Sequence, residues 1–226
     1  MRARGLLRDE QFGSRSKYST ALQLASLVER VSWNFDEKRL TGAVFLDVAK
    51  AFDTVWVDGL LYTLTTLNFR SYIVKTVSSY FKGWTFEASF QTATSTSRRM
   101  QAGVAQGGII SPVLFILYVI DMPSPSRHVE LAFYADDTDV IATSRQPALL
   151  VKYLQTYLSG LERWLSEWRI AINVSKSSAI LFAKTGCRFS KPRAVQLFGE
   201  PIQWVDETRY LVGTLGKRLT WFKHVD

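Results

Sequence analysis

Apolar residues recur at helical spacing from Thr20 to Phe35, where Leu24, Leu27, Val28, Val31 and Phe35 share one face. Thr20 followed by Gln23 predicts a capping box at the start of that helix. The pattern then changes to a continuous apolar run. Gly42 to Val48 reads as a buried strand carrying one acid, Asp47, near its end. Asp58 is placed to cap a short helix through Leu67, and Ser71 another that stops at Gly83. Trp84, Phe86, Ala88 and Phe90 alternate with Thr85, Glu87, Ser89 and Gln91, which predicts a strand with two unlike faces.

Gln101 to Gly108 reads as a flexible, glycine-rich loop. Ser111 and Pro112 follow as N-cap and first-turn residue of a helix whose body, Val113 to Ile120, is apolar all round and therefore buried. Val129 to Tyr134 and Thr138 to Thr143 predict a tight hairpin with Asp136 and Asp137 at its tip. Pro147 to Trp168 is a long amphipathic helix with Leu150, Leu154, Tyr157, Leu161, Trp164 and Trp168 inward. Short strands follow at Ala179 to Phe182, Val195 to Phe198 and Tyr210 to Leu215. Strands alternate with helices, yet two of them pair as a hairpin. That favours an α+β fold with an antiparallel sheet over a doubly wound parallel one. The one boundary signal is the basic, breaker-containing stretch Lys184 to Arg193.

Composition narrows the class. With 226 residues, 47% hydrophobic and 21% charged, the chain is an ordinary globular mix and not a disordered one. Its net charge of +8 points to an acidic partner, nucleic acid ahead of anionic membrane. The lone Cys187 excludes an internal disulfide and a cysteine-built zinc site, as expected of an intracellular protein. The longest apolar run, Val113 to Ile120, is far short of a membrane span, and Met1 to Glu10 lacks an apolar signal core.

Asp136 and Asp137 change the picture most. Two adjacent acids within apolar strands repel each other and resist desolvation, so a protein that keeps both usually supplies a cation. Asp47 ends a separate buried strand. If the strands are neighbours, three carboxylates meet at one sheet end, an oxygen-only set suited to Mg²⁺ or Mn²⁺. The plain alternative, that Asp136 and Asp137 are polar residues of a hairpin tip, leaves Asp47 and the basic chain unaccounted for.

Three ordered segments carry a resemblance. Phe45-Leu-Asp-Val-Ala-Lys-Ala-Phe-Asp-Thr-Val-Trp56 resembles the first catalytic motif of reverse transcriptases of non-LTR retrotransposons. Gly103-Val-Ala-Gln-Gly-Gly-Ile-Ile-Ser-Pro-Val-Leu-Phe-Ile-Leu-Tyr118 is similar to their second, and Tyr134-Ala-Asp-Asp137 to their third. The likeness runs from Gln11 to Val225 and looks closest to the jockey-like insect type. It implies a right-hand polymerase-like palm, an antiparallel sheet backed by helices, with partial fingers and no complete thumb. Residues 1–41 would be the finger remnant and connecting helix, 42–183 the palm, and 184–226 the C-terminal strands with a hairpin like the primer grip at Arg209-Tyr-Leu211.

The resemblance also implies roles. Asp47, Asp136 and Asp137 would hold two metal ions, Mg²⁺ or Mn²⁺. Phe52 would exclude ribonucleotides at the sugar 2′ position; on its apolar turn alone it reads as plain core, and its spacing of five residues from Asp47 is what favours the gate. Gln106 and Gly107 would line the incoming nucleotide, where a bare loop amide is the alternative for Gln106. Lys176, in Asn173-Val-Ser-Lys176, would lie near the triphosphate and protonate the leaving group, or else be a solvated lysine. Trp164 and Trp168 read as core, and Asp53 and Asp139 as residues that cap or solvate turns. The implied partners are an RNA template, a DNA primer and a deoxynucleoside triphosphate (dNTP), with no membrane and a location in the nucleus or cytoplasm.

The sequence departs from the family at several points. Ala105 stands at a proline position and Gly108 at a serine position, both loosening the second-motif loop. Ser14, Val57, Val212-Gly213 and Gly216 also differ from the usual residues. The family carries finger strands upstream of the Gln11-Phe-Gly segment and a thumb after the C-terminal hairpin, and the expectation from the sequence is that this chain lacks both. A catalytically weak or inactive remnant that at most binds nucleic acid is therefore the second expectation.

Overall fold

A computed structural model describes residues 19–134, 137–187, 192–211 and 213–219. The chain opens with α1 (Thr20–Asp36), β1 (Leu40–Leu46), α2 (Val57–Thr66) and α3 (Ser71–Tyr80). Four two-residue strands follow, β2 (Thr85–Phe86), β3 (Ser89–Phe90), β4 (Ala93–Thr94) and β5 (Arg98–Arg99), then α4 (Ser111–Tyr118). Next are β6 (Val129–Tyr134), β7 (Asp137–Ser144), α5 (Pro147–Glu167) and β8 (Ser178–Phe182). The C-terminal part holds β9 (Val195–Leu197), β10 (Glu200–Ile202), β11 (Trp204–Val205), β12 (Glu207–Tyr210) and β13 (Gly213–Gly216). The chain divides into two compact units. One comprises Met1–Ala49, Met122–Glu167 and Ala171–Asp226, and the other Lys50–Asp121 and Trp168–Ile170.

The first unit is α+β, as expected. Its five-stranded sheet has the order β11-β8-β1-β7-β6. β1 pairs antiparallel with β7 and β8, and β6 with β7, while β11 runs parallel to β8. β1 is central and nearly all buried, which is why it reads as a continuous apolar run. The two faces of the sheet bury against different partners. On one face α5 approaches so closely that a Cβ on Gly42 would lie 2.4 Å from Leu150 Cδ2. Its buried stripe, Leu150, Leu154, Leu158, Leu161 and Leu165, follows helical spacing. On the other face Leu27 and Val31 of α1, Ala43, Ile141, Ile180 and Phe182 of the sheet, and Tyr210 and Leu215 of the β12–β13 hairpin form one core cluster.

The second unit contains α2, α3, α4 and the paired strands β2·β5 and β3·β4. The alternation from Trp84 to Gln91 does not make one strand. Every residue of β2 to β5 is exposed, so the pattern has no face to bury. The backbone at Ala88 bonds instead to Ser95, whose hydroxyl accepts its N–H at 2.9 Å. Trp84 packs edge-on against Tyr80, with ring centres 4.8 Å apart.

Several helix starts differ from expectation. Ser19 caps α1, its Oγ accepting the Leu22 N–H at 3.2 Å, so Thr20 is already helical and Gln23 turns into the core. Trp56 and Arg70 occupy the N-cap positions of α2 and α3 without side-chain bonds, leaving Asp58 in the first turn of α2. Ile110 precedes α4, and the Ser111 hydroxyl donates to Ala105 O at 2.6 Å, so it fastens the preceding loop rather than capping the helix. Leu114 to Tyr118 are buried as expected, but Val113 is exposed. Tyr210 to Leu215 is a hairpin, with Tyr210 paired to Gly213. No described helix is long and apolar enough to cross a membrane.

Candidate catalytic site

The register of the sheet brings two of the three acids together. Leu46 of β1 is paired with Thr138 of β7, so Asp47 and Asp137 are the next residues at the same end of adjacent strands. Tyr134 pairs with Asp137 and closes the β6–β7 hairpin. Asp136, expected from the sequence at the hairpin tip, lies outside the described residues. Asp47 is half-buried at the mouth of the apolar strand and Asp137 is exposed. Their donor chemistry fits a hard divalent cation, which prefers carboxylate oxygens. Among the described residues no three acids, histidines or cysteines cluster.

The ladders of β1 end just before Asp47, with Phe45 opposite Ser178 on one side and Leu46 opposite Thr138 on the other. A different segment then holds the backbone. The Asp47 N–H donates to Ser177 Oγ at 3.1 Å, and the Asp47 carbonyl accepts the Asn173 N–H at 2.8 Å. Val48 bridges Ile172, and the Ala49 N–H donates to Ala171 O at 2.8 Å. The Ser177 hydroxyl in turn donates to the Asn173 carbonyl at 2.9 Å. Asn173 Oδ1 accepts from Ser175 Oγ at 2.7 Å and from the Lys176 N–H at 3.3 Å. The turn that presents the exposed Lys176 is therefore fastened to Asp47. Sequence reasoning picked out Lys176 and missed its neighbours. The available signal was an asparagine followed closely by two serines, a composition that folds turns onto their own backbone.

Asp139 overturns its expected role. It neither caps nor solvates a turn but is buried, at 2% exposure, on β7 opposite Phe45. Tyr210 Oη donates to its Oδ2, and Gln23 Nε2 reaches the same oxygen at 3.5 Å and Tyr210 Oη at 3.1 Å. Burial pushes the Asp139 carboxyl up to about 8, against the opposing pull of the Tyr210 hydrogen bond and with a further push from Asp137. Burial likewise raises the Tyr210 hydroxyl, with Asp139 adding to the shift. An acid in an apolar strand and a glutamine on an apolar helix face were the legible hints.

In the second unit, Phe52, Gln106 and Gly107 are gathered locally. The Val104 N–H donates to Phe52 O at 2.7 Å, and the Gly103 N–H to Val55 O at 2.9 Å. Gln106 Nε2 donates to the exposed Asp53 Oδ1 at 3.3 Å. The first half of the glycine-rich loop is thus fastened to the segment after Lys50. Gly103 has φ +102°, and a Cβ there would sit 2.8 Å from Asp53 O, so only glycine fits without strain. Gly107, with φ +79°, faces open space. Phe52 is half-buried, its ring centre 5.3 Å from that of Phe115. Trp164 and Trp168 are buried core residues, as expected, and the Tyr118 hydroxyl donates to the Trp168 carbonyl.

Comparison with known proteins decides the family. The sequence profile of the family described as reverse transcriptase (RNA-dependent DNA polymerase) matches residues 2–214. The chain belongs to the reverse transcriptase family. A probable RNA-directed DNA polymerase from transposon X-element of Drosophila melanogaster is 33% identical over all of this chain and 25% of its own length. The RNA-directed DNA polymerase from mobile element jockey of the same species is 32% identical over 95% of this chain and 24% of its own. The chain thus spans about a quarter of the length of these curated reverse transcriptases. Telomerase from Candida tropicalis, truncated from its C-terminal domain, shares the fold with a TM-score of 0.60 at 13% identity, over 94% of this chain and 40% of that one. A second telomerase structure from that organism, in complex with an RNA fragment, gives 0.57 at 13% identity over 80% of this chain and 32% of its own.

Proposed function

We propose that this chain is the palm-centred part of a non-LTR retrotransposon reverse transcriptase, which extends a DNA primer on an RNA template. The observation that carries the reading is the β1–β7 register, which sets Asp47 and Asp137 at one end of the sheet in a chain of this family. Asp47, Asp136 and Asp137 would hold the divalent ions, Mg²⁺ or Mn²⁺. Bound there, the ions would lower the pKa of the primer hydroxyl and neutralise charge on the transferring phosphate.

The reaction joins the primer 3′-oxygen to the α-phosphorus of a dNTP, breaks the bond from that phosphorus to the bridging oxygen, and releases pyrophosphate. The primer hydroxyl would give up its proton to solvent water, and Lys176 would supply one to the departing pyrophosphate. Phe52 would pack on the deoxyribose and clash with a 2′-hydroxyl, while Gln106 and the Gly107 backbone would line the nucleotide. The three-part division of the chain at residues 42 and 184, and a location in nucleus or cytoplasm with RNA template and DNA primer as partners, complete this reading. Incorporation of labelled deoxynucleotide on a primed RNA template tests it. Metal-dependent extension that Asp47→Asn and Asp137→Asn each abolish supports the reading. Extension unaffected by either substitution refutes it.

A further inference from the structure

We infer that the Ser177 hydroxyl is a positioning group for Asp47, tying the backbone of that residue to the turn that carries Lys176. The inference rests on the proposed metal-holding role of Asp47. At the point where a metal ligand is needed, β1 has run out of ladder partners on both sides. The Asp47 backbone is held instead through its N–H by Ser177 Oγ and through its carbonyl by the Asn173 N–H, at 3.1 and 2.8 Å. Ser177 is 7% exposed, and its hydroxyl is engaged in both directions, accepting from Asp47 and donating to Asn173 O at 2.9 Å. The chain at Asn173 and Ser177 therefore closes a ring of bonds around Asp47, with Lys176 between them.

Two consequences follow. First, the direction in which Asp47 leaves the sheet depends on a hydroxyl 130 residues away in sequence. Secondly, any shift of the Lys176 turn moves the backbone of Asp47, so metal affinity at one and ligand engagement at the other are coupled, and by linkage in both directions. The groups that orient a metal ligand commonly matter to affinity by tenfold or more, although they never touch the ion.

Mn²⁺ titration of the purified chain, with free Mn²⁺ read by electron paramagnetic resonance, tests the assignment without any catalytic assay. Ser177→Ala should weaken Mn²⁺ binding by about tenfold while the metal-free melting temperature stays close to the parent's. Ser177→Thr, which keeps the hydroxyl, should restore parent affinity. Ser177→Cys keeps the volume but offers a poor acceptor, and should behave like the alanine variant; it decides the matter if Ser177→Ala does not fold. Parent-like affinity in the cysteine or alanine variant overturns the inference, as does equal weakening by threonine. Asp47→Asn that binds Mn²⁺ as tightly as the parent instead overturns the metal role of Asp47, and the inference with it.

Discussion

Asp139 of β7 and Tyr210 of β12 meet inside the core, the tyrosine hydroxyl donating to the Asp139 carboxyl group and Gln23 of α1 bonding to both. This contact joins three elements, α1, the hairpin β12–β13 and the strand that begins at Asp137. The Gln23 Oε1 is buried without a partner among the described residues. Such a cluster costs desolvation and is tolerable only because its other members satisfy one another.

A pH dependence of stability follows. The folded-state pKa of Asp139, about 8, lies above its unfolded value of 3.8. Below the lower value both states are protonated. Between the two, the unfolded chain ionises while the folded chain keeps its proton. The Asp139 contribution to stability is therefore complete below about pH 4, falls through the window and levels off above about pH 8, at about 1.4 kcal/mol per pH unit for one proton. Urea unfolding across this window, compared with Asp139→Asn, isolates the effect. The asparagine keeps an acceptor for Tyr210 and cannot ionise, so its profile should be flatter. Parallel profiles would show that Asp139 does not titrate differently on folding.

Gly103→Ala should destabilise the second unit by about 1–3 kcal/mol. The added Cβ would meet the Asp53 carbonyl, in a backbone conformation that L-residues avoid. Gly107→Ala shares the unfavourable φ but meets open space, and should cost less. Thermal melts of the two variants give the order directly.

Phe52→Val should raise the use of ribonucleotides relative to deoxynucleotides in primer extension, because in its proposed role the ring would be the repulsive element against a 2′-hydroxyl. The contact with Phe115 makes Phe52 part of local packing as well. Equal loss with both sugar types, together with a drop in stability, would assign it to packing alone.

Binding to a primed duplex should weaken steeply with added salt and vary little with sequence, given a net charge of +8 and eight Lys or Arg against four Asp or Glu after residue 180. Fluorescence anisotropy across a salt series measures the slope. A flat response would reject contact through phosphates.

The sheet, both long helices and the acid pair at its end were legible because their signals are periodic or chemically costly. β1 announces itself by being buried on both faces, and α5 by a leucine stripe. What escaped depends on partners far away in sequence. The Thr20–Gln23 pair looks like a capping box, and the one local hint against it, a glutamine on an apolar helix face, does not name the distant Asp139 and Tyr210 that claim it. The alternation from Trp84 to Gln91 is genuine, but period alone does not say whether a core exists to receive one face. The serines after Asn173 signal a turn, but not that Ser177 bonds to Asp47 where β1 loses its ladder partners, which is a property of register.

The central claim is that Asp47, Asp136 and Asp137 form one cation site at the end of the sheet. Without a cation these acids repel, and a cation that binds only the folded state stabilises it by linkage. The direct measurement is the melting temperature with and without millimolar Mn²⁺ or Mg²⁺, in the parent and in Asp136→Asn. The account predicts a rise in the parent that the substitution abolishes. An unchanged melting curve in the parent, or a rise that persists in Asp136→Asn, would contradict it.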